Sequence, residues 1–346
     1  MTPHVRRKRY SGTHPKRFDE KYKEANPEKY ADTVEKVIRK GGTPAGMHLS
    51  IMVNEIMDVL KIVPGEIGLD ATLGYGGHTR AMLDRLDGKG HLYSLDVDPI
   101  EILKTEERLR KAGYGDDILT IIKTNFANID DVASTVGRFD FCLADLGVSS
   151  MQIDNPARGF SYKTDAPLDL RLDPEHGESA AQRLNSISED EFIGMMIDNS
   201  DEPYAEEIAR VVFEKKRKGT PIHTTGELRQ AIIEALRCVP DTERREAVKK
   251  SCARVFQALR IDVNSELEVL YTFLEKLPSV LNPGARVAIL TFHSGEDRLV
   301  KKMFKQLKKE GVFCEISEEV IRPGKEECIR NPRAKSTKLR YAIKAQ

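Results

Sequence analysis

The chain has 346 residues, and its 55 Lys and Arg are balanced by 55 Asp and Glu, so net charge singles out no partner class, while the length allows two domains or one domain with a large insertion. No apolar run approaches membrane-spanning length, and the basic N-terminus lacks the apolar stretch of a signal peptide. The five cysteines (Cys142, Cys238, Cys252, Cys314, Cys328) are scattered without a C-x-x-C pair, which suggests neither a disulfide framework nor a zinc site and fits a reducing cytoplasm.

In chain order, residues 1–46 read as an extension. Arg6, Arg7, Lys8, Arg9, Lys16 and Arg17 form a basic arm with Tyr10 and Phe18 interleaved, and a short polar helix is expected at about 28–40, closed by Gly41-Gly42. A solvated tail and an arm lying on RNA phosphates are both open readings of it. From Met47 the globular part starts. A helix over 48–60 leads into strands expected at 67–72, 91–98, 119–125 and 139–147, separated by helical stretches, and this alternation predicts a parallel sheet.

After Gly147 the alternation stops. Residues from about 178 to 252 read as helices only, one of them opened by the capping box Thr224-x-x-Glu227 ahead of Leu228, Ile232 and Leu236. A single long helix at about 255–277 then leads through Asn282-Pro283-Gly284 to a strand at 286–292, and strands near 312–316 and 339–343 complete the sheet. The expected organisation is an α/β domain (47–155 and 253–346) carrying a helical insertion (156–252) behind the extension (1–46). Two basic runs of the insertion, Lys215, Lys216, Arg217, Lys218 and Arg244, Arg245, Lys249, Lys250, are either solvated faces or a grip on a polyanion.

The stretch from Leu69 to Leu83 is the most informative. A short apolar run ends in Asp70, the glycines Gly74, Gly76 and Gly77 follow, and a helical pattern starts. Doubly wound α/β proteins hold nucleotide-like cofactors at such a strand–loop–helix junction. The G-x-G-x-x-G fingerprint fails, because its third glycine falls on Thr79. A carboxylate at Asp70 would repel a pyrophosphate but suits an ammonium group, as in S-adenosylmethionine. The next strand ends in Asp96, well placed to accept hydrogen bonds from two ribose hydroxyls. The alternative is a glycine turn followed by a solvated acidic loop.

Three further segments fall at the carboxyl ends of strands. Asp145 ends the fourth strand in Ala144-Asp-Leu-Gly-Val-Ser-Ser150. The exocyclic amine of a nucleobase shares its lone pair with the ring and attacks a sulfonium methyl only when acceptors hold its hydrogens, and the Asp145 carboxylate with the Leu146 carbonyl would serve. Asp145 is otherwise a cap or turn residue. The methyl donor is already charged, so no metal is expected. The segment Asp165-Ala-Pro-Leu-Asp-Leu-Arg-Leu-Asp173 frames the acceptor base or ties the insertion to the sheet by ion pairs. His293, between a strand and a helix, sheds a proton from the product amine, contacts RNA, or caps the helix. A Ser-His-Asp hydrolase fits poorly, since no G-x-S-x-G elbow exists.

Taken together, these residues resemble the bacterial small-subunit ribosomal RNA cytosine-N4 methyltransferases, the MraW or RsmH type. The resemblance covers about 48–339 and is carried by Asp70-Ala-Thr-Leu-Gly-Tyr-Gly-Gly-His78, Asp96-Val-Asp-Pro99, Asp145-Leu-Gly-Val-Ser-Ser150, Arg158-Gly-Phe-Ser161, Pro167-Leu-Asp-Leu-Arg171, Arg254-Val-Phe-Gln-Ala-Leu-Arg-Ile261, Asn264-Ser-Glu-Leu267, Phe292-His-Ser294 with Glu296-Asp-Arg298, and Asn331-Pro-Arg-Ala-Lys-Ser336. It implies a Rossmann-like class I S-adenosylmethionine-dependent methyltransferase with an inserted all-helical domain, acting on a decoding-centre cytidine of 16S RNA, free or in the small subunit, as monomer or homodimer. It also implies cofactor contacts at Gly76, Gly77, His78, Asp96, Phe126, Asp145 and Gln152, with Phe126 packing on the adenine face and His78 offering its ring or backbone to the methionine end.

The sequence departs from the family pattern at Gly295 (usually leucine), Leu170 and Leu172 (usually methionine), Thr337 (usually a small residue), Ser50 (usually proline) and in the length of the basic arm. These departures keep open a paralogue acting on another RNA cytidine. A ribosome-assembly factor that binds the cofactor without catalysis is the reading from a different functional class, and methylation of another amine, on DNA or protein, is a third.

Overall fold

The computed structural model describes residues 50–346, which form one compact unit. The basic arm, the helix expected at 28–40 and His48 lie outside the described residues. The first described helix, α1 (Val53–Leu60), leads to strand β1 (Ile67–Asp70), and then α2 (Gly77–Leu86), β2 (His91–Asp96), α3 (Pro99–Lys111), β3 (Leu119–Lys123), α4 (Ile129–Val136) and β4 (Phe139–Asp145) alternate as expected. A short helix α5 (Ser150–Asp154) precedes five helices, α6 (Ala180–Ser186), α7 (Glu189–Ser200), α8 (Ala205–Arg217), α9 (Thr225–Ala235) and α10 (Asp241–Val263). The chain returns through α11 (Glu266–Val280), β5 (Leu281–Thr291), α12 (Ser294–Lys309), β6 (Phe313–Ile316), α13 (Lys325–Arg330) and β7 (Lys338–Lys344).

The strands make one sheet in the order β3-β2-β1-β4-β5-β7-β6. Strands β1 to β5 are parallel, as the alternation of the first four predicts, whereas β7 runs antiparallel to both β5 and β6. Between β6 and β7 the chain passes through α13 and a short 3₁₀ turn and returns in the opposite direction. The strand order reverses between β1 and β4, which opens a crevice outside their carboxyl ends. Both faces are covered, since along β4 Phe141 and Leu143 pack into one hydrophobic layer and Cys142 and Ala144 into the other.

Helices α6 to α10 surround a third cluster, built on Phe192, Ile208, Val212, Ile232, Val255 and Leu259. This cluster reaches into α10 beyond residue 252, so the boundary expected there falls inside one continuous helix. The capping box forms as read: the Thr224 hydroxyl accepts from Glu227 N–H, and Glu227 Oε2 accepts from Thr224 N–H. The single helix expected at 255–277 is instead two, α10 and α11. The Asn264 amide nitrogen donates to Leu170 O and to Arg260 O, its oxygen accepts from Leu172 N–H, and Ser265 takes the left-handed conformation at φ 48°. The apolar spacing runs on across the break because both helices bury a face, which hides the turn from periodicity. No helix among the described residues is long and apolar enough to cross a membrane.

Candidate active site

The crevice holds an open cleft of about 690 Å³, counted together with the solvent at its mouth. Its wall includes Ala71 and Thr72 after β1, Asp96 and Val97 after β2, Phe126 after β3, Leu146, Gly147 and Gln152 after β4, and Glu266 and Leu270 of α11. Four of the residues singled out in the sequence, Asp96, Phe126, Leu146 and Gln152, therefore meet on one surface.

Asp96 has the geometry of a hydroxyl acceptor. Its Oδ2 accepts from Gly74 N–H at 2.8 Å and its Oδ1 from Asp98 N–H at 2.9 Å, so lone pairs remain on both oxygens. Burial pushes its carboxyl up to about 6, against the backbone N–H groups that favour the charge. Phe126 stands edge-on to Phe273, ring centroids 5.2 Å apart, and turns the rest of its ring surface to the cleft. Gln152 lines the cleft, yet its amide is committed elsewhere: Nε2 donates to Asp98 Oδ2 and Oε1 accepts from Ser149 N–H in the capping box of α5.

The loop from Asp70 to His78 departs from the sequence reading. Asp70 is 0% exposed and does not line the cleft. Its Oδ2 accepts from the Thr79 hydroxyl at 2.6 Å and its Oδ1 from Thr72 N–H at 3.1 Å, so the carboxylate is spent on ordering the loop and the start of α2. Burial raises its pKa, opposed by Thr79, His78 and Thr72. Gly74, Gly76, Gly77 and His78 also stand off the cleft wall. Gly76 adopts φ 79°, and a Cβ there would come within 2.7 Å of Thr105, so its glycine is required by packing on α3 as well as by the turn.

The His78 ring points inward rather than to the cleft. It is 6% exposed; Nε2 lies 2.9 Å from Ile51 O and Nδ1 3.3 Å from Asp145 Oδ2. A carbonyl only accepts, so Nε2 carries a proton, and the facing carboxylate favours a second proton on Nδ1. Burial alone would lower the His78 pKa, but Asp145, Ile51 O and the charge of Asp70 outweigh it and hold it raised. Asp145, 29% exposed, is thus clamped at one oxygen by an imidazole, while its N–H donates to the Thr72 hydroxyl at 2.7 Å. Its other oxygen, Oδ1, is buried and has no partner. A buried acceptor without a donor is uncommon and calls for an explanation.

His293 is the N-cap of α12. Its Nδ1 faces Glu296 N–H at 3.5 Å and its Nε2 lies 3.2 Å from Glu296 Oε1, while Glu296 Oε2 accepts from Phe292 N–H. Of the roles open for it in the sequence, the structure places it in the capping one. A Cβ at 295 would approach the His293 ring at 3.1 Å, close enough that the ring would have to shift by a few tenths of an ångström. Glu266 completes a cluster with His293 and Glu296, but both its oxygens receive the Arg260 guanidinium, at 2.7 and 2.9 Å.

Sequence reasoning missed Asp98. It is 0% exposed, caps α3 by accepting from Ile100 N–H, and takes Gln152 Nε2 and Arg158 Nη1 at 2.8 and 2.7 Å. Arg158 then donates to Arg171 O and Leu172 O, so one buried ion pair joins the β2 and β4 walls of the cleft to the segment leading into the helices. The signal was available as Asp98-Pro99, an N-cap followed by proline at the first helical position. Of the two roles open for residues 165–173, an ion pair to the sheet is seen at Asp173, 3.6 Å from Lys123 at the end of β3, while Asp165 accepts from Gly226 N–H, Asp169 holds Arg171 in a two-pronged pair, and Leu168 and Leu170 are buried in the helical cluster.

A doubly wound sheet whose order reverses at a cleft lined by an acidic strand end and an aromatic ring defines a Rossmann-like α/β protein with a nucleotide-type site. The MraW methylase family model matches residues 45–345, and the chain belongs to that family. It is 66% identical over 342 residues to "Ribosomal RNA small subunit methyltransferase H 1" of Lachnoclostridium phytofermentans, covering 99% of this chain and 93% of the relative. A protein of the same name from Agathobacter rectalis is 61% identical, covering 99% and 98%. "Ribosomal RNA small subunit methyltransferase H" of Carboxydothermus hydrogenoformans is 40% identical and covers 86% of this chain but 97% of its own length. The basic arm thus falls within the span shared with the first two relatives, and the family model starts close to its end.

Proposed function

We propose that this protein transfers a methyl group from S-adenosylmethionine to the exocyclic N4 of a cytidine in small-subunit (16S) ribosomal RNA, in the decoding centre. The observation that carries the reading is Asp145 Oδ1, a buried oxygen without a donor, at the end of β4 and next in sequence to Leu146 of the cleft wall. The names of relatives matched over nearly their whole length support the substrate class.

The residues present fit the cofactor. Asp96 retains acceptor capacity on both oxygens for ribose hydroxyls, and Phe126 offers a ring to adenine. The N–H groups of Gly77 and His78 lie in the first turn of α2, where no intrahelical acceptor exists, and suit a carboxylate. Asp70 acts through Thr72 and Thr79 by setting the loop containing Gly74 and Gly76 rather than by touching the ammonium group. Gln152 closes the wall from its bonds to Asp98 and Ser149. When bound, S-adenosylmethionine supplies an electrophilic methyl group on a sulfonium.

Everything else falls to the chain. Asp145 Oδ1 and the Leu146 carbonyl accept the two amine hydrogens, which draws the nitrogen lone pair out of conjugation with the ring and directs it at the methyl carbon. His78 orients the Asp145 carboxylate through Oδ2. After the new N–C bond forms, the surplus amine proton passes to Asp145. His293 supports the site by holding Glu296 on the cleft wall. The target base must leave its stack to reach Asp145.

Nucleoside mass analysis of 16S RNA from cells with and without the gene tests the assignment. Loss of one N4-methylated cytidine on deletion is expected. Loss of a different modified nucleoside, or of none, would overturn it.

A further inference from the structure

Helix α12 leaves the site with its N-terminus and carries six cations: Arg298, Lys301, Lys302, Lys305, Lys308 and Lys309. At 100° per residue they fall within about 120° of arc, and at 1.5 Å per residue Arg298 and Lys309 are about 16 Å apart. All six are exposed, while Val300, Met303, Phe304 and Leu307 bury the opposite face against the sheet. The acids of the helix's first turn are turned away. Glu296 is buried on the Phe292 and His293 N–H groups, and Asp297 is held by Lys338 and Arg340.

Basic runs on helices are usually solvated and balanced by nearby acids, and the run on α8 shows that pattern, as does half of the run on α10. In the run on α8, Lys215 pairs with Glu234, Arg217 with Glu189 and Lys218 with Glu214, and Lys216 donates to Ile187 O. In the run on α10, Arg244 pairs with Asp241 and Lys249 with Glu246. On α12, by contrast, the one carboxylate in ion-pair range among the described residues is Glu318, 87% exposed and 4.0 Å from Lys308. A chain with no net charge thus concentrates unbalanced positive charge along a line that starts next to the cleft.

We propose that the exposed face of α12 is a track for the phosphate backbone of the substrate RNA, gripping the nucleotides that flank the target base. This rests on the RNA-methyltransferase reading above. Lysines spaced by three and four residues offer point charges without base discrimination, which suits backbone positioning while the cleft supplies selectivity.

The test uses the full-length protein and purified small ribosomal subunits from cells lacking the gene, together with the triple variant Lys302→Gln, Lys305→Gln, Lys309→Gln. Its KM for subunits is expected to rise at least tenfold with kcat within twofold and an unchanged Kd for S-adenosylhomocysteine. The slope of log KM against log salt should fall by about 2, from three lost contacts at roughly 0.7 each. The triple Lys→Arg variant should behave as the parent. An unchanged KM and salt slope, or an equal fall in cofactor binding, would overturn the track. Failure of the unaltered protein to methylate subunits would instead strike the functional reading, and a fluorescent single-stranded RNA oligomer, bound by the parent but not by the Gln variant, would then still support the track.

Discussion

The ends of β1 and β4 are neighbours in the sheet, and each closes on an aspartate. Asp70 has lost all contact with solvent and both its oxygens are occupied, by Thr79 and Thr72. Asp145 keeps part of its surface in the open, has one oxygen clamped by His78 and the other without a partner. The same residue type at the same kind of position is a structural anchor on one strand and an available acceptor on the next. What separates them is the following helix: Thr79 on α2 turns back to Asp70, whereas the residue that reaches Asp145, His78, comes from across the strand pair and covers only one oxygen. A strand-end carboxylate becomes a functional candidate when one oxygen lacks any internal donor, as at Asp145, or when it lines the cleft, as at Asp96.

Substitutions at these carboxylates can break that contrast. The largest effect is expected at Asp145, where Asp145→Ala should lower kcat by about 10²–10³-fold, the scale of removing one preorganised partner of the reacting group. Its thermal midpoint should stay close to that of the parent, and an unfolded variant would contradict the division between anchor and acceptor. Next comes Asp96→Asn, expected to weaken S-adenosylhomocysteine binding by about ten- to a hundredfold in calorimetry, the loss of charge-assisted bonds to hydroxyls.

The pH dependence sharpens the same point. Hydroxyl donors need the ionised carboxylate, and burial has raised Asp96 to about 6 in the free protein. Affinity should be full above that value and fall as pH drops through it, by up to about tenfold per unit. The Asp96→Asn variant should show no such fall. Asp70→Ala should leave kcat largely intact per folded molecule but cost about 1–3 kcal/mol in urea unfolding, since the Thr79 hydroxyl and Thr72 N–H lose their acceptor. The smallest effect is expected at Gly295→Ala. The added Cβ shifts the His293 ring in its cap, at a cost of about 1 kcal/mol or less.

The sequence made the sheet's first four strands, the glycine loop and the capping box at Thr224 legible, because each is written in local spacing and turn chemistry. Three features were not legible. The direction of β7 is set by how the chain returns from β6, and alternation alone does not express that. The break at Asn264 and Ser265 is made by an asparagine bonded to Leu170 and Leu172, far away in sequence. At the site, Asp96, read from its strand-end position, and Phe126, implied by the resemblance, both line the cleft. The orientations of Asp70 and His78 were not legible, since Thr79 and Ile51 decide them and no motif spacing shows where a side chain finds its partner. The gap at Asp98 is different in kind, because its cap signal was present and only its two tertiary partners, Gln152 and Arg158, were hidden.

The measurement that bears most directly on this account is methyl transfer by Asp145→Asn, a change that keeps shape and removes the charge. Parent and variant would be given radiolabelled S-adenosylmethionine and small subunits from cells lacking the gene, with S-adenosylhomocysteine affinity measured in parallel. The account predicts label in N4-methylcytidine for the parent, almost none for the variant, and cofactor affinities within a few-fold of each other. Turnover by the variant at the parental rate would contradict it.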